Sequence, residues 1–205
     1  MRMIRPILFN TEMVRAIQEG RKTVTRRLMS AEAAFACANH EELQMHVPFQ
    51  AGDVLWVRES WFFSGGLYLY RADFEGIHDD LVHWNWRPSI HMPRDAARIF
   101  LRVKAVYPAR LQESVNVSPR PIKEIEAEGI PIDEECQECV KTYGWPCCID
   151  EESECGLLDD QRGKFADLWD STIPKKRLDK QGWAADPMVW VIRFRVCEKP
   201  EGWPG

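Results

Sequence analysis

The sequence predicts an α+β fold: a small, mixed and partly closed β-barrel with short flanking helices and a cysteine-rich insertion. Three observations support this class. Predicted strands bracket the 205-residue chain and recur along it, only short helices separate them, and five of the seven cysteines fall in one stretch of weak periodicity. We expect a single domain, residues 1–205, with residues 131–160 as an inserted subdomain.

The first half of the chain begins with a predicted strand, IRPILF at residues 4–9. Asn10 or Thr11 can cap the helix that follows, and Gly20 is suited to end it. A second helix is expected in SAEAAFACANHEELQM, residues 30–45. A Gly-Asp turn then leads into a strand at residues 54–57, and GGLYLYRAD, residues 65–73, predicts another.

The second half of the chain also contains predicted strands separated by short predicted helices. ARIFLRVKAVYPARL, residues 97–111, is rich in β-branched and aromatic residues and predicts a long strand. PIKEIEAEGI, residues 121–130, predicts a short helix that starts at Pro121 and stops at Gly129, and GKFADLWDST, residues 163–172, predicts another. The pattern of DPMVWVIRFRVC, residues 186–197, is that of a closing strand.

Composition and charge narrow the class of protein. No apolar run approaches the roughly 18 residues of a membrane span, and a charge and a proline interrupt the N-terminus too early for a signal peptide. We therefore expect a soluble protein of the cytoplasm. The net charge is −5, but residues 124–160 hold thirteen acids and one base, so the remainder carries about +7. A basic body of this kind is compatible with a polyanionic ligand.

The clustered cysteines suggest a metal. Cys136 and Cys139 form a C-x-x-C knuckle, and Cys155 with Cys148 or Cys147 can complete four thiolate ligands. A short segment without a core of its own would gain stability from structural zinc. Free reduced thiols are the main alternative; disulfides and an iron–sulfur cluster are less compatible with the compartment or the spacing.

The stretch GRKTVTRR, residues 20–27, can do more than hold an anion. A lysine that is buried or surrounded by cations can lose its proton near neutral pH, and a neutral Lys22 could accept the hydroxyl proton of Thr25. Lys22 and Thr25 share a face if the segment is a turn but not if it is a regular strand. The alternative is a helix C-terminus decorated with cations that complement its dipole.

Further residues suggest ligand binding. Aromatic and basic side chains on strands can stack on and grip a base, and a proline-flanked loop with a histidine resembles a site more than a core. The candidate binding residues are Arg21, Arg26, Arg27, Trp56, Arg58, Glu59, Tyr70, Arg71, Arg87, Ser89 and His91. For each of them taken alone, a structural role is an equally good interpretation.

The order of these motifs resembles the ASCH family of PUA-like β-barrel proteins, which are associated with RNA. The resemblance rests on EGRKTVTRR, GDVLWVRE, AEGI and WVIRF, in that order. More narrowly, WRPSIHMPRDAARIFLRV, FADLWDS and DPMVWVIRF resemble the longer ASCH-like proteins of phages and prophages. The resemblance implies a bacterial host cytoplasm, and it covers most of the chain, least of all the cysteine-rich stretch.

Small bacterial members of this family are amidohydrolases that deacetylate N4-acetylcytidine with a Lys, a Thr and a Glu. The resemblance implies Lys22 as base, Thr25 as nucleophile and Glu128 as the orienting or proton-relaying carboxylate. No cofactor is implied for catalysis. This chain is about twice as long as the small enzymes, so its substrate need not be theirs.

Two alternatives stay open beside the hydrolase hypothesis. One is a non-catalytic module that binds RNA or a modified nucleotide, or a ribonuclease that uses the same base and carboxylate on a ribose 2′-hydroxyl. The other is a phage-encoded interaction protein whose acidic insertion contacts a host protein. No membrane partner is expected.

The zinc hypothesis predicts that purified protein contains about one zinc ion per chain. Elemental analysis of wild type and of the Cys136→Ser/Cys139→Ser double variant checks it, and we expect the variant to lose the metal. Cys37→Ser is the control, because Cys37 is remote from the cluster in sequence. Metal-free wild type with all thiols titratable would contradict the prediction.

Overall fold

A computed structural model describes residues 3–39, 43–74, 85–116, 121–132 and 157–204. The strands are β1 (Ile4–Leu8), β2 (Val24–Leu28), β3 (Val54–Arg58), β4 (Trp61–Ser64), β5 (Leu67–Tyr70), β6 (Phe100–Arg110) and β7 (Met188–Cys197). The helices are α1 (Thr11–Gln18), α2 (Ala31–Ala38), α3 (Leu111–Val115), α4 (Pro121–Ala127), α5 (Leu157–Ser171) and α6 (Leu178–Gln181). Short 3-10 turns span Leu43–His46, Arg71–Asp73, Ser89–His91, Lys175–Arg177 and Trp183–Ala185.

The strands form a five-stranded mixed sheet of order β1-β3-β6-β7-β2 and a separate β4-β5 hairpin. β1 runs parallel to β3 with Ile4 opposite Val54, and β3 runs antiparallel to β6 with Val54 opposite Arg102. The α+β class is confirmed. The predicted barrel closure is not seen in the described residues, because β1 and β2 end the sheet and β4 and β5 pair only with each other.

Local signals in the sequence account for the two N-terminal helices. The Asn10 side chain accepts a hydrogen bond from the Met13 amide at 2.9 Å, which caps α1, and Gly20 follows the helix with a φ of +78°. Ser30 caps α2 in the same manner through the Ala33 amide at 3.2 Å. α1 therefore begins at a cap that the sequence predicts, whereas α2 ends at Ala38, before the predicted end at residue 45.

Three further features of the described structure differ from the sequence predictions. The basic stretch contains a strand, β2, that the sequence interpretation left undecided. β4 was not predicted, although it pairs with β5 from Trp61 opposite Tyr70. α5 begins at Leu157 instead of near Gly163, so the last residues assigned to the insertion belong to a helix.

The chain divides into two compact units. The first comprises Met1–Gly20, Phe49–Ala105 and Arg193–Gly205, and the second comprises Arg21–Pro48 and Val106–Ile192. Each has its own apolar core. The core of the first unit includes Trp56, Trp61, Met92, Phe100 and Trp203. The core of the second unit includes Val24, Ile125, Phe165, Trp169 and Val191.

Among the described residues, no helix is both long enough and apolar enough to cross a lipid bilayer.

Two glycines of the second unit predict opposite effects on stability. A Cβ at Gly182 would lie 2.6 Å from the Leu178 carbonyl oxygen, whereas a Cβ at Gly163, inside α5, meets nothing within 4 Å. Gly182→Ala should lower the free energy of unfolding by about 1–3 kcal/mol because backbone must move. Gly163→Ala should raise it by about 0.5–1 kcal/mol, since alanine loses less conformational entropy in a helix. Chemical denaturation of both variants measures the contrast, and equal effects would contradict it.

Candidate active site

A buried lysine–carboxylate pair lies in the second unit. Lys22 Nζ donates to Glu128 Oε2 at 2.5 Å, to the Glu128 carbonyl at 2.7 Å and to the Val24 carbonyl at 2.9 Å. These acceptors match the three donors of an ammonium group. Lys22 is 1% exposed and Glu128 4% exposed, so both groups are almost completely removed from water.

Backbone contacts bring the two residues together. Lys22 precedes β2, and Glu128 follows α4, where Gly129 has a φ of +98° and ends the helix. The Thr23 amide donates to the Ala127 carbonyl at 2.8 Å, and Arg21 Nη1 donates to the Gly129 carbonyl at 2.5 Å. The chain before β2 is therefore fastened to the C-terminus of α4 on both sides of Lys22.

Arg26 holds the other oxygen of the same carboxylate. Its Nη1 donates to Glu128 Oε1 at 2.8 Å, and its Nη2 lies 3.4 Å from Glu124 Oε2. Its Nε and Nη2 donate to Ser114 Oγ and to the Ser114 carbonyl, each at 2.6 Å. The guanidinium carbon also lies 5.5 Å from the ring centroid of Phe165. Arg26 is thus fixed from three sides and orients Glu128 toward Lys22.

The electrostatics of the pair favour an ionised glutamate and a lysine that gives up its proton readily. Burial acts to raise the pKa of Glu128, but Lys22 and Arg26 outweigh it and hold that pKa below its usual value. Burial lowers the pKa of Lys22, Arg27 and Arg26 lower it further, and Glu128 opposes them. Because an arginine keeps its proton, Lys22 is the cation of the pair that can become neutral.

Thr25 is buried on β2, only 1% exposed. The strand begins at Val24, so Lys22 precedes it and Thr25 is its second residue. Side chains alternate along a strand, which places Thr25 on the opposite face from Val24 and Arg26. The structure therefore brings Lys22, Arg26 and Glu128 into contact. Arg27 shares the face of Thr25 on β2, and it acts on the same pair: it lowers the pKa of Lys22, and Glu128 acts on the pKa of Arg27.

Two partners of this cluster, Ser114 and Glu124, were not identified from the sequence. Glu124 and Glu128 are four residues apart, the spacing at which side chains share one face of a helix, so this signal was available. Ser114 lies in α3, and no local pattern distinguishes it from a surface serine. Its contact with Arg26 depends on tertiary structure alone.

The candidate binding residues Trp56 and Arg58 lie in the first unit and face each other. Arg58 Cζ lies 5.4 Å from the Trp56 ring centroid, and its Nη2 donates to the Ile90 carbonyl. Trp56 is only 8% exposed, and its ring centroid lies 5.7 Å from that of Trp203. The predicted stacking platform is therefore a core tryptophan, because its ring packs within the apolar core of this unit.

Glu59 and Tyr70 belong to an internal network of the first unit. Glu59 is 1% exposed and accepts two hydrogen bonds from Arg98, both at 2.9 Å. Arg98 also donates to Asp73 at 2.7 Å and lies over the Tyr70 ring at 3.8 Å. Burial raises the pKa of Glu59, and it raises the pKa of Tyr70 to about 12. Arg98, which the sequence interpretation missed, is the centre of this network.

The remaining candidates of the first unit reach the surface. Arg71, Arg87 and His91 are exposed, and Ser89 is half-buried in the 3-10 turn Ser89–His91. Arg87 exchanges two backbone hydrogen bonds with Trp61, at 2.7 and 3.1 Å, and its guanidinium carbon lies 5.0 Å from the Trp61 ring centroid. Arg71, Arg87 and His91 are therefore the predicted binding residues of the first unit that are most open to a ligand in solvent.

The predicted zinc ligands Cys136, Cys139, Cys148 and Cys155 lie outside the described residues. Within the described ranges, no group of three or more His, Cys, Asp or Glu side chains is arranged to hold a metal ion. Cys37 and Cys197 are free and half-buried.

Comparison of the fold with solved structures finds three similar proteins, whereas comparison of the sequence finds none. No protein-family model matches the chain, and no curated protein matches it. Protein EF3133 from Enterococcus faecalis V583, assigned to DUF984, is 13% identical with a TM-score of 0.41, covering 96% of this chain and 77% of its own. An ASCH domain from Lactobacillus crispatus JV V101 is 11% identical with a TM-score of 0.35, covering 95% and 79%. The hypothetical protein PH0355 is 11% identical with a TM-score of 0.33, covering 95% and 100%.

An ASCH domain is thus among the structures to which this chain is similar. The names of the three proteins state no activity, and similarity at this level does not extend to function.

The buried carboxylate predicts a large and pH-dependent effect of Glu128→Gln. The substitution leaves Lys22 and Arg26 without their shared anion, so the free energy of unfolding should fall by about 3–5 kcal/mol at neutral pH. Since the pKa of Glu128 lies below its usual 4.5, its stabilisation is complete above that pH and is lost as the pH falls through the folded-state pKa. Denaturation of wild type and variant from pH 7 to pH 3 should show the difference narrowing. Glu124→Gln is the control, because Glu124 lies 3.4 Å from Arg26, and its free energy of unfolding should fall by less. Equal decreases in the two variants would contradict the role of Glu128 as the shared anion.

Proposed function

We propose that the protein is an amide hydrolase that removes the acyl group from an acylated nucleobase such as that of N4-acetylcytidine. The observation that carries the proposal is the buried contact of 2.5 Å between Lys22 Nζ and Glu128 Oε2, with the pKa of Lys22 lowered by burial. A lysine with a lowered pKa is better suited to general base catalysis than an ordinary lysine, because more of it is neutral at a given pH and can accept a proton. The motif resemblance supplies the substrate class.

The proposed reaction divides amide hydrolysis into two steps. Neutral Lys22 accepts the hydroxyl proton of Thr25 as the oxygen attacks the acyl carbon, and the bond from that carbon to N4 breaks. The departing N4 takes the proton from Lys22, which leaves free cytidine and an acyl ester on Thr25. Water then attacks the ester carbon and gives its proton to Lys22, and the ester oxygen takes it back as the carboxylic acid leaves.

Arg26 and Glu128 support these steps by position and charge. Arg26 keeps Glu128 ionised through the 2.8 Å contact, so the carboxylate can stabilise Lys22 each time it is protonated. The hydrogen bonds from Lys22 to the Val24 and Glu128 carbonyls hold the amine in one orientation. In the proposed step the Thr25 hydroxyl approaches the Lys22 amine across the start of β2.

A second candidate, a non-catalytic module that binds RNA or a nucleotide, is favoured by a separate observation in the first unit. Exposed Arg87 and Arg94 each lie over a tryptophan ring, Arg87 over Trp61 at 5.0 Å and Arg94 over Trp203 at 4.1 Å. A guanidinium held flat in this way leaves its outer face for a base or a phosphate. Such a module would bind nucleosides or RNA without turnover.

The test of the hydrolase proposal is release of cytidine from N4-acetylcytidine by purified protein. Thr25→Val keeps the shape of the side chain and removes its hydroxyl, and Lys22→Met keeps the length and removes the amine. Each should reduce kcat/KM by about 10²–10⁴-fold, since each removes a group that acts in the transition state. Thr25→Ser keeps a hydroxyl and should retain measurable turnover.

Melting curves of each variant serve as the control for folding. Lys22→Met leaves Glu128 paired with Arg26, so this variant is expected to fold. Turnover that persists undiminished in Thr25→Val would exclude Thr25 as the nucleophile. Binding of nucleoside or RNA by wild type without any release of cytidine would favour the second candidate instead.

A further inference from the structure

One polar side chain in the core of the second unit has no hydrogen-bond partner among the described residues. Gln161 is 0% exposed and lies on α5 in line with Phe165 and Trp169, four and eight residues further on. Residues spaced in this way share one face of a helix, and here that face is the buried one. Phe165 and Trp169 belong to the apolar core of the unit, so Gln161 occupies a position where an aliphatic residue would be expected.

Both polar atoms of this side chain are unsatisfied. Neither Gln161 Nε2 nor Gln161 Oε1 has a hydrogen-bond partner in the part of the chain that the structure describes. A buried donor or acceptor without a partner costs about 1–3 kcal/mol, and a carboxamide contributes both. Other polar groups that are buried nearby, Arg26 and Ser114 among them, have several partners each. The glutamine is therefore an exception that a bound molecule would explain.

The position of Gln161 connects it to the Lys22–Glu128 pair. Phe165 is one helical turn from Gln161 on the same face, and the guanidinium of Arg26 lies over the Phe165 ring at 5.5 Å. The same guanidinium donates to Glu128 Oε1 at 2.8 Å. α4, which ends at Glu128, packs against α5. The unsatisfied carboxamide thus belongs to the same packed region as the candidate catalytic carboxylate.

We propose that Gln161 is the residue that recognises the base of the ligand, through one hydrogen bond donated by Nε2 and one accepted by Oε1. This inference rests on the proposed function and names the group that would select its substrate. An N4-acylated cytosine presents an N4–H donor beside the N3 acceptor. A planar carboxamide matches a donor–acceptor pair of this kind in two parallel hydrogen bonds, as glutamine does when it reads the edge of adenine.

The substitution Gln161→Leu separates recognition from packing. It replaces an unsatisfied carboxamide in an apolar core by an aliphatic group of similar size, so the melting temperature of the ligand-free variant should equal or exceed that of wild type. Its dissociation constant for cytidine, which presents the same N4–H and N3 edge and is not turned over, should rise at least about tenfold when measured by calorimetry, because the polar edge of the base would meet a methyl group. Its KM for N4-acetylcytidine should rise by a similar factor. Gln161→Met should behave in the same way. Gln18→Leu, at an exposed position on α1, is the control and should leave the affinity unchanged.

The opposite pattern would overturn the inference. A melting temperature lowered by several degrees together with unchanged affinity would assign Gln161 to the internal structure, where an ordered water would satisfy its carboxamide. Failure of wild type to bind either cytidine or N4-acetylcytidine would also overturn it.

The two proposals can fail separately. Release of cytidine by wild type with an unchanged KM in Gln161→Leu would remove the inference and leave the hydrolase proposal intact. If binding depends on Gln161 but no cytidine is released, the hydrolase proposal fails and the inference about Gln161 stands. The second unit would then be a recognition module.

Discussion

Glu128 is shared by two cations, and the arrangement of the second unit depends on that sharing. Lys22 precedes β2 and Arg26 lies within it, yet both reach the one carboxylate at the end of α4, at 2.5 and 2.8 Å. An isolated carboxylate would be strongly destabilised by burial, and two donors that hold its separate oxygens compensate for the loss of water. The contact therefore fixes β2 relative to α4. Removal of Glu128 would leave two buried cations without their shared anion, whereas removal of Lys22 leaves Glu128 paired with Arg26.

The same sharing gives the region its chemical character. A buried lysine paired with a carboxylate of its own would keep its proton, because the ion pair favours the charged form. Here Arg26 also holds Glu128, and burial first, then Arg27 and Arg26, act to lower the pKa of Lys22. Perturbed groups of this kind cluster at functional sites, because a proton that is held weakly is a proton that can be transferred. Gln161, with its unsatisfied carboxamide, adds a second departure from a purely structural core in the same unit.

The first unit also contains a buried carboxylate, Glu59, whose charged partners differ from those of Glu128. Among the described residues, the Glu59 carboxylate is bound by Arg98 alone, and Arg98 is bound in turn by Asp73 and by the ring of Tyr70. An arginine does not release its proton, so Arg98 stabilises the unit without acting as an acid. Burial meanwhile keeps the pKa of Glu59 above its usual value. The exposed arginines on tryptophan rings are the part of the first unit that is suited to a ligand.

The sequence by itself determined the local elements and the residue types of the candidate site. The cap at Asn10, the left-handed glycines at Gly20 and Gly129, and the existence of β7 depend on neighbours in the chain, so the sequence pattern alone predicted them. Lys22 and Glu128 could be named from motifs, but their contact could not, because 106 residues separate them and only tertiary packing brings them together. Tertiary structure alone also decided that Trp56 is core, that Ser114 and Arg98 have internal partners, and that Gln161 has none in the described chain. The physical reason is the same in each case: burial and partner choice depend on residues distant in sequence, and a short-range pattern does not encode them.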